Sequence, residues 1–283
     1  MIDVRHVVIA VLTALALGGC LKDSSTTTLK LDGSGTFTQT STIEMEKAKA
    51  YIAQLKAQAR GLGLPPEDTS ANPFAAVDAT QREAALKLHK GIRVVRADRR
   101  EDAKKKTRTY ELQVAFDSLQ QMYAAGVVED VSVKLERVPE GKAWEGKAWK
   151  LTVRHVFDGN DREPLVGKSA ENLRKMRAAM LERYKRLWGS LEITSTLQLP
   201  TKILATNGQP RRTAEGGHIV TWRIGFTDLA DASRLIQHVT FADAEGLKLK
   251  PFVLSANDIA NAIEEAELAA QEAKKKKKAV PPK

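Results

Sequence analysis

Four apolar residues, Tyr110, Leu112, Val114 and Phe116, alternate with Thr109, Glu111, Gln113 and Ala115. Period two is the pattern of a half-buried β-strand, here over 107–116. The same alternation predicts strands through Val131, Val133 and Leu135, through Trp149, Leu151 and Val153, through Leu191–Leu199 and through Val220–Phe226, with a last short one at Val239–Phe241. Ile92–Asp98 reads as a further strand, joined to 107–116 by the charged turn Arg99–Lys106. Near the start, Asp32-Gly33 separates strands spanning about 26–31 and 36–44. Asp-Gly between such segments signals a hairpin, because glycine accepts positive φ. Thr36, Thr38, Thr40 and Thr42 share one face of the second strand and are expected to look toward water; Phe37 and Ile43 share the other.

Helical spacing appears elsewhere. Ala48, Tyr51, Ile52, Leu55, Ala59 and Leu62 predict a helix over 46–61, stopped by Gly61, Gly63 and Pro65-Pro66. A second helix is expected over 73–89, with Pro73 in its first turn and Gly91 beyond its end. Asp117-Ser118-Leu119-Gln120 has capping-box spacing and predicts a short helix to about Ala125. Leu173, Met176, Met180, Tyr184 and Leu187 form one stripe of a helix over 170–188. Thr227 or Asp228 can cap a short helix to about Gln237, after a turn at Asn207-Gly208. Ser255-x-x-Asp258 opens a C-terminal helix, acidic early at Glu264, Glu265 and Glu267 and basic at its end, as the helix dipole favours. Lys274, Lys275, Lys276, Lys277 and Lys278 are expected to be disordered beyond it. The fold class is therefore α+β: an antiparallel sheet of several hairpins with amphipathic helices packed on one face.

The N-terminus adds a compartment. Val7–Leu17 is an apolar run of about a dozen residues, too short to span a bilayer at about twenty. It ends in Leu17-Gly18-Gly19-Cys20, which holds the chain's single cysteine. Small residues suit a peptidase cleft closing on extended backbone, and a thiol at the new N-terminus accepts a diacylglycerol as a thioether. The segment resembles the lipobox of bacterial lipoprotein signals, although Asp3 offsets Arg5 before it. That resemblance implies removal of 1–19, leaving 264 of 283 residues, and lipidation at Cys20. Residues 20–28 then read as the lipidated cysteine and a polar tether, 29–254 as the globular domain, and 255–283 as a C-terminal helix and lysine-rich tail. Two acyl chains of the palmitate kind hold far better than one. Leu21 stands where some bacteria place an inner-membrane retention aspartate, so an outer membrane is favoured where one exists.

Charge suggests partners for such a protein. The chain carries +10, and the signal contributes none of it. Export disfavours nucleic acid and leaves an anionic lipid, an envelope polymer or an envelope protein. Arg174, Lys175 and Arg177 on the basic 170–188 helix, with Lys274–Lys278, are the candidate contacts; each can equally be a solvated surface. Aromatic content of 5% argues against a cleft of stacked rings for carbohydrate.

Catalytic signatures are missing from the sequence: no His-Glu-x-x-His, Gly-x-Ser-x-Gly, phosphate-binding loop or dinucleotide fingerprint occurs. No catalytic residue, metal ligand or cofactor is assigned. His89, His155, His218 and His238 lack metal-ligand spacing, although His155 and His218 sit on predicted strands and can meet in space. Asp158-Gly159-Asn160-Asp161 lacks the carboxylate ladder of a calcium loop and reads as a turn. Gly141-Lys142-Ala143-Trp144 is repeated at Gly146-Lys147-Ala148-Trp149 in what reads as an exposed hairpin tip, and Trp222 reads as core.

Three stretches resemble the LppM-type family of bacterial lipoproteins: the Asp32-Gly33-Ser34-Gly35 turn soon after the cysteine; Gly91–Val95 with the Tyr110–Leu119 strand-to-helix unit; and Leu199–Ile203 with Asn207-Gly208 and Val220–Trp222. The resemblance implies an α+β envelope domain over about 24–245 and carries over no catalytic residue. Many such proteins have a C-terminal membrane helix, where this chain has Lys274–Lys278. The leading expectation is a non-enzymatic, lipid-anchored envelope protein. The alternatives are a carrier or sensor of an apolar ligand in a cavity of several hundred Å³ between sheet and helices, and an envelope hydrolase with a polar cleft near His155 or His218.

Overall fold

A computed structural model describes residues 21–50, 53, 79–139, 146–156, 191–214 and 216–279. Its strands, in chain order, are β1 (Leu21–Leu29), β2 (Gly35–Glu44), β3 (Ile92–Asp102), β4 (Thr107–Phe116), β5 (Val131–Val138), β6 (Ala148–His155), β7 (Glu192–Leu199), β8 (Ile203–Thr206), β9 (Gln209–Arg212), β10 (His218–Gly225), β11 (Ile236–Ala242) and β12 (Phe252–Leu254). Among the described residues, besides a helical stretch over 45–50, its α-helices are α1 (Ala79–Leu86), α2 (Leu119–Ala124) and α3 (Ala256–Ala279). One sheet has seven strands in the order β3-β4-β2-β1-β7-β10-β9, and the other five in the order β12-β5-β6-β11-β8. Among the described residues all strand pairings are antiparallel except β1 with β7. The fold is α+β with strands dominating.

Alternation explains how the sheets meet. Phe37, Leu112, Val114, Phe116, Leu197 and Val220 of the larger sheet share a core with Val133, Leu135, Trp149, Leu151, Val239 and Phe241 of the smaller. Leu86 of α1, Leu119 and Met122 of α2 and Ile259 of α3 join the same core. Trp149 is fully buried and its one polar atom is satisfied: Nε1 donates to Asp243 Oδ1 at 3.1 Å, while Arg137 lies 4.9 Å over the ring. The Asp32-Gly33 turn forms as the sequence requires, with Gly33 at φ 84° and Asp32 Oδ1 accepting from the Ser34 amide at 3.0 Å. β3 is an edge strand, broken by a bulge between Val94 and Arg96 and laced with Arg96–Asp98 and Arg99–Glu101 pairs, which is how edges are kept from pairing with other chains.

Several expectations change. The tether expected over 20–28 is strand from Leu21 onward, held between β2 and β7 in the middle of the larger sheet. Its inward residues Asp23, Ser25 and Thr27 are polar, so no hydrophobic alternation announced it. The helix expected to run to Gln237 is two 3-10 turns, Phe226–Ala230 and Ala232–Leu235, with β11 starting at Ile236. Asn207-Gly208 joins two short strands, β8 and β9, that lie in different sheets. Ser118 itself caps α2, accepting from the Gln121 amide at 3.2 Å. The lysine run is helical, since α3 continues to Ala279; lysine is a good helix former and suits a helix C-terminus. Residues 45–50 are helical, at the start of the 46–61 prediction. The rest of that helix, the 170–188 helix, the 158–161 turn, most of the 141–149 loop and the 1–20 segment lie outside the described residues.

Candidate functional site

Between the inner faces of the two sheets lies a cleft. Ser25 and Thr27 of β1, Ser195 of β7 and Trp222 of β10 form one wall; Val153 and His155 of β6 with Gln237 and Val239 of β11 form the other. Register explains the first wall: Ser25 pairs with Ser195 and Ser195 with Trp222, so three neighbouring strands present one transverse row. Gln237 is buried and its Nε2 lies 3.4 Å from Ser195 Oγ, bridging the sheets. Gln237 also bonds the His155 side chain. His155 Nε2 is shielded from solvent. Burial pulls the imidazole down to about 4 against the raising effect of Gln237, so it is neutral at pH 7.

A second polar group lies two residues along β1 from this row, on the same face of the larger sheet. Asp23 accepts from Gln39 Nε2 at 2.9 Å and from Ser41 Oγ. Arg82 of α1 reaches in over them: Nη1 to Gln39 Oε1 at 3.4 Å, Nη2 to the Val127 carbonyl at 2.7 Å, and Nε to Glu129 Oε1 at 3.2 Å. Burial raises the Asp23 carboxyl, opposed by the Ser41 and Gln39 hydrogen bonds and by the Arg82 charge. This network pins α1 to the sheet.

The chemistry open to the cleft follows from its size and donors. The cleft has a volume of about 40 Å³, room for about three waters at ~10–15 Å³ each. That is far below the several hundred Å³ expected of an apolar-ligand carrier. Among its walls there is no carboxylate, and Gln237, an amide without acid or base function, stands between Ser195 and His155. Trp222, expected in the core, is half-buried, and its Nε1 donates to Asn207 Oδ1 at 2.8 Å.

The residues named from sequence fare unequally. His155 lines the cleft; His218 does not, since it pairs with Leu199 four residues along β10 from Trp222. Cys20, Arg174, Lys175 and Arg177 lie outside the described residues. Lys274–Lys278 occupy the last turns of α3. Among the described residues no group of His, Cys, Asp and Glu is arranged to hold a metal ion, and no helix is long and apolar enough to cross a membrane. Ser195 and Gln237 were not singled out in the sequence, because each is a common residue in an ordinary strand.

No family model and no curated protein matches the chain. Among solved structures, the NMR structure of the folded domain of Mycobacterium tuberculosis LppM is similar over 82% of this chain and 95% of that one. Identity is 11% and the TM-score 0.34, so the likeness is weak.

Proposed function

We propose that this is a non-enzymatic protein of a bacterial cell envelope, anchored through acyl chains on Cys20, that binds an anionic lipid, envelope polymer or envelope protein. The observation that carries the anchor is Leu17-Gly18-Gly19-Cys20 at the end of an apolar run too short to span. The anionic partner rests on the +10 charge and on Arg174, Lys175, Arg177 and Lys274–Lys278 as contacts.

Cys20→Ser in the native host tests the anchor. The wild-type chain is expected in the membrane fraction with a mass showing loss of 1–19 and added acyl groups. The variant is expected unacylated. A wild-type protein with an intact methionine start and an unmodified sulfur refutes the anchor. Flotation of the purified protein with neutral and anionic vesicles tests the partner. Stronger binding to anionic vesicles at low salt is expected, weakening as screening shortens electrostatic reach to about 8 Å at physiological ionic strength. Equal binding to both, together with no affinity for acidic polymer, refutes it.

A further inference from the structure

Where the body meets its membrane follows from strand register. Leu21 pairs with Ile43, Ile43 with Arg108 and Arg108 with Glu101. These four residues form one row across β1, β2, β4 and β3. At about 4.8 Å per strand, the β3–β4 hairpin lies roughly 10–15 Å to the side of β1. Cys20 directly precedes Leu21, the β1 residue of this row, in the sequence. The hairpin also passes the row: Asp102 pairs with Thr107 one residue further on, and the turn carrying Lys104, Lys105 and Lys106 lies past that pair. Strand twist of about 20–25° per strand tilts the hairpin and shortens its advance, leaving the turn only a little beyond the level of Leu21.

We infer that this end of the seven-stranded sheet is the surface apposed to the bilayer, with the Lys104–Lys106 turn in the headgroup layer. The inference rests on the acylation of Cys20. Because Leu21, the residue after Cys20, is already held in a central strand, the tether between acyl chains and sheet is short, and the long axis of β1 stands away from the membrane. The headgroup layer is about 5–7 Å deep on each side, comparable to the depth of the turn. Chemistry agrees with placement. All three lysines are exposed; Lys106 pairs with Glu46 at 2.6 Å, Lys105 lies 4.0 Å from Asp102, and Lys104 makes no ion pair among the described residues. Glu44, Glu46, Glu101 and Asp102 also stand at this end, so charge there is close to balanced and the acyl chains, not the lysines, supply the hold.

The test uses the full chain in vesicles containing lipids with a quencher on the headgroup. Maleimide dye is attached at Lys105→Cys or at Lys30→Cys. Lys30 is also exposed and stands just past the far end of β1, roughly 30 Å away at 3.3 Å per residue. Quenching at position 105 is expected to exceed that at position 30 several-fold, and a twelve-residue Gly/Ser insertion between Cys20 and Leu21 is expected to erase the difference. The unsubstituted chain separates the two failures, because an acylated Cys20 takes no maleimide. If it stays unlabelled and position 105 is quenched no more than position 30, the orientation is wrong and the anchor stands. If it takes the dye at Cys20, the anchor falls and the orientation with it. Lys104→Cys repeats the measurement should Lys105→Cys disturb the turn.

Discussion

Replacing Gly126 with alanine is expected to loosen the C-terminal helix, and a second substitution shows by how much. Gly126 ends α2 at φ 66°, with its amide donating to the Tyr123 carbonyl at 2.9 Å. A Cβ there would stand 2.3 Å from Ile263 Cγ1 and 2.5 Å from Cδ1 on α3. Two costs combine. Left-handed backbone costs a non-glycine residue about 1–2 kcal/mol, and forcing a methyl group into packed side chains costs about 1–3 kcal/mol. Gly126→Ala should therefore destabilise by about 2–5 kcal/mol. Ile263→Ala alone removes a half-buried side chain and should cost about 1–2 kcal/mol, below the range for fully buried sites. In the double variant the clash is gone and only the backbone strain and the lost contact remain. The double variant should then fall short of the sum by about 1–3 kcal/mol. Urea unfolding followed by fluorescence of the four tryptophans measures all three proteins. Additivity within about 0.5 kcal/mol would show that α3 does not pack on Gly126 and would refute this account of the helix.

Arg82→Met should lower stability by about 3–5 kcal/mol, because Glu129 and Asp23 lose a largely buried cation; thermal melting measures it, and a neutral result would mean the network does not hold α1. Asp23→Asn should raise stability near pH 7. A carboxyl raised by burial binds its proton more tightly when folded, so its contribution is full below the ordinary value of 3.8 and is lost as pH climbs through the folded value; the amide removes that slope and still accepts from Gln39 and Ser41. His155→Gln should flatten the opposite slope. An imidazole lowered from 6.5 to about 4 favours folding above 6.5 and surrenders that benefit as pH falls toward 4, a change of up to about 3 kcal/mol. Because Asp23 and His155 act in opposite directions, the two single variants should shift the pH dependence of the urea midpoint away from that of the wild type in opposite senses.

Residue pattern made part of this fold legible. Tyr110 to Phe116 reads as a strand because each inward residue is apolar, and Asp32-Gly33 announces its turn because the backbone there needs positive φ. β1 escaped over its first half because its inward residues, Asp23 and Ser25, face a polar network supplied by Gln39, Ser41 and Arg82; period two in hydrophobicity vanishes where the core itself is polar. The division into two sheets was hidden for another reason. β8 and β9 adjoin one turn yet pair with β11 and β10, and nothing local distinguishes them. The cleft was invisible because Ser195, Gln237 and His155 come from three strands whose meeting is purely tertiary. The lysine run misled through its charge, which composition reads as disorder although each lysine continues a helix well.

The parallel pairing of β1 with β7 sets a timetable for synthesis. Thr28 bonds Gln198, 170 residues away. At about 5–20 residues per second, a ribosome needs roughly 10–30 s between making the two. A first hairpin formed before that interval ends has one flank open in the middle of a sheet not yet complete. Closing so distant a pair is slow, and waiting intermediates aggregate when their open flank is greasy. The run Lys22 to Thr28 is free of aliphatic residues, which makes the waiting flank a poor template for a neighbouring nascent chain.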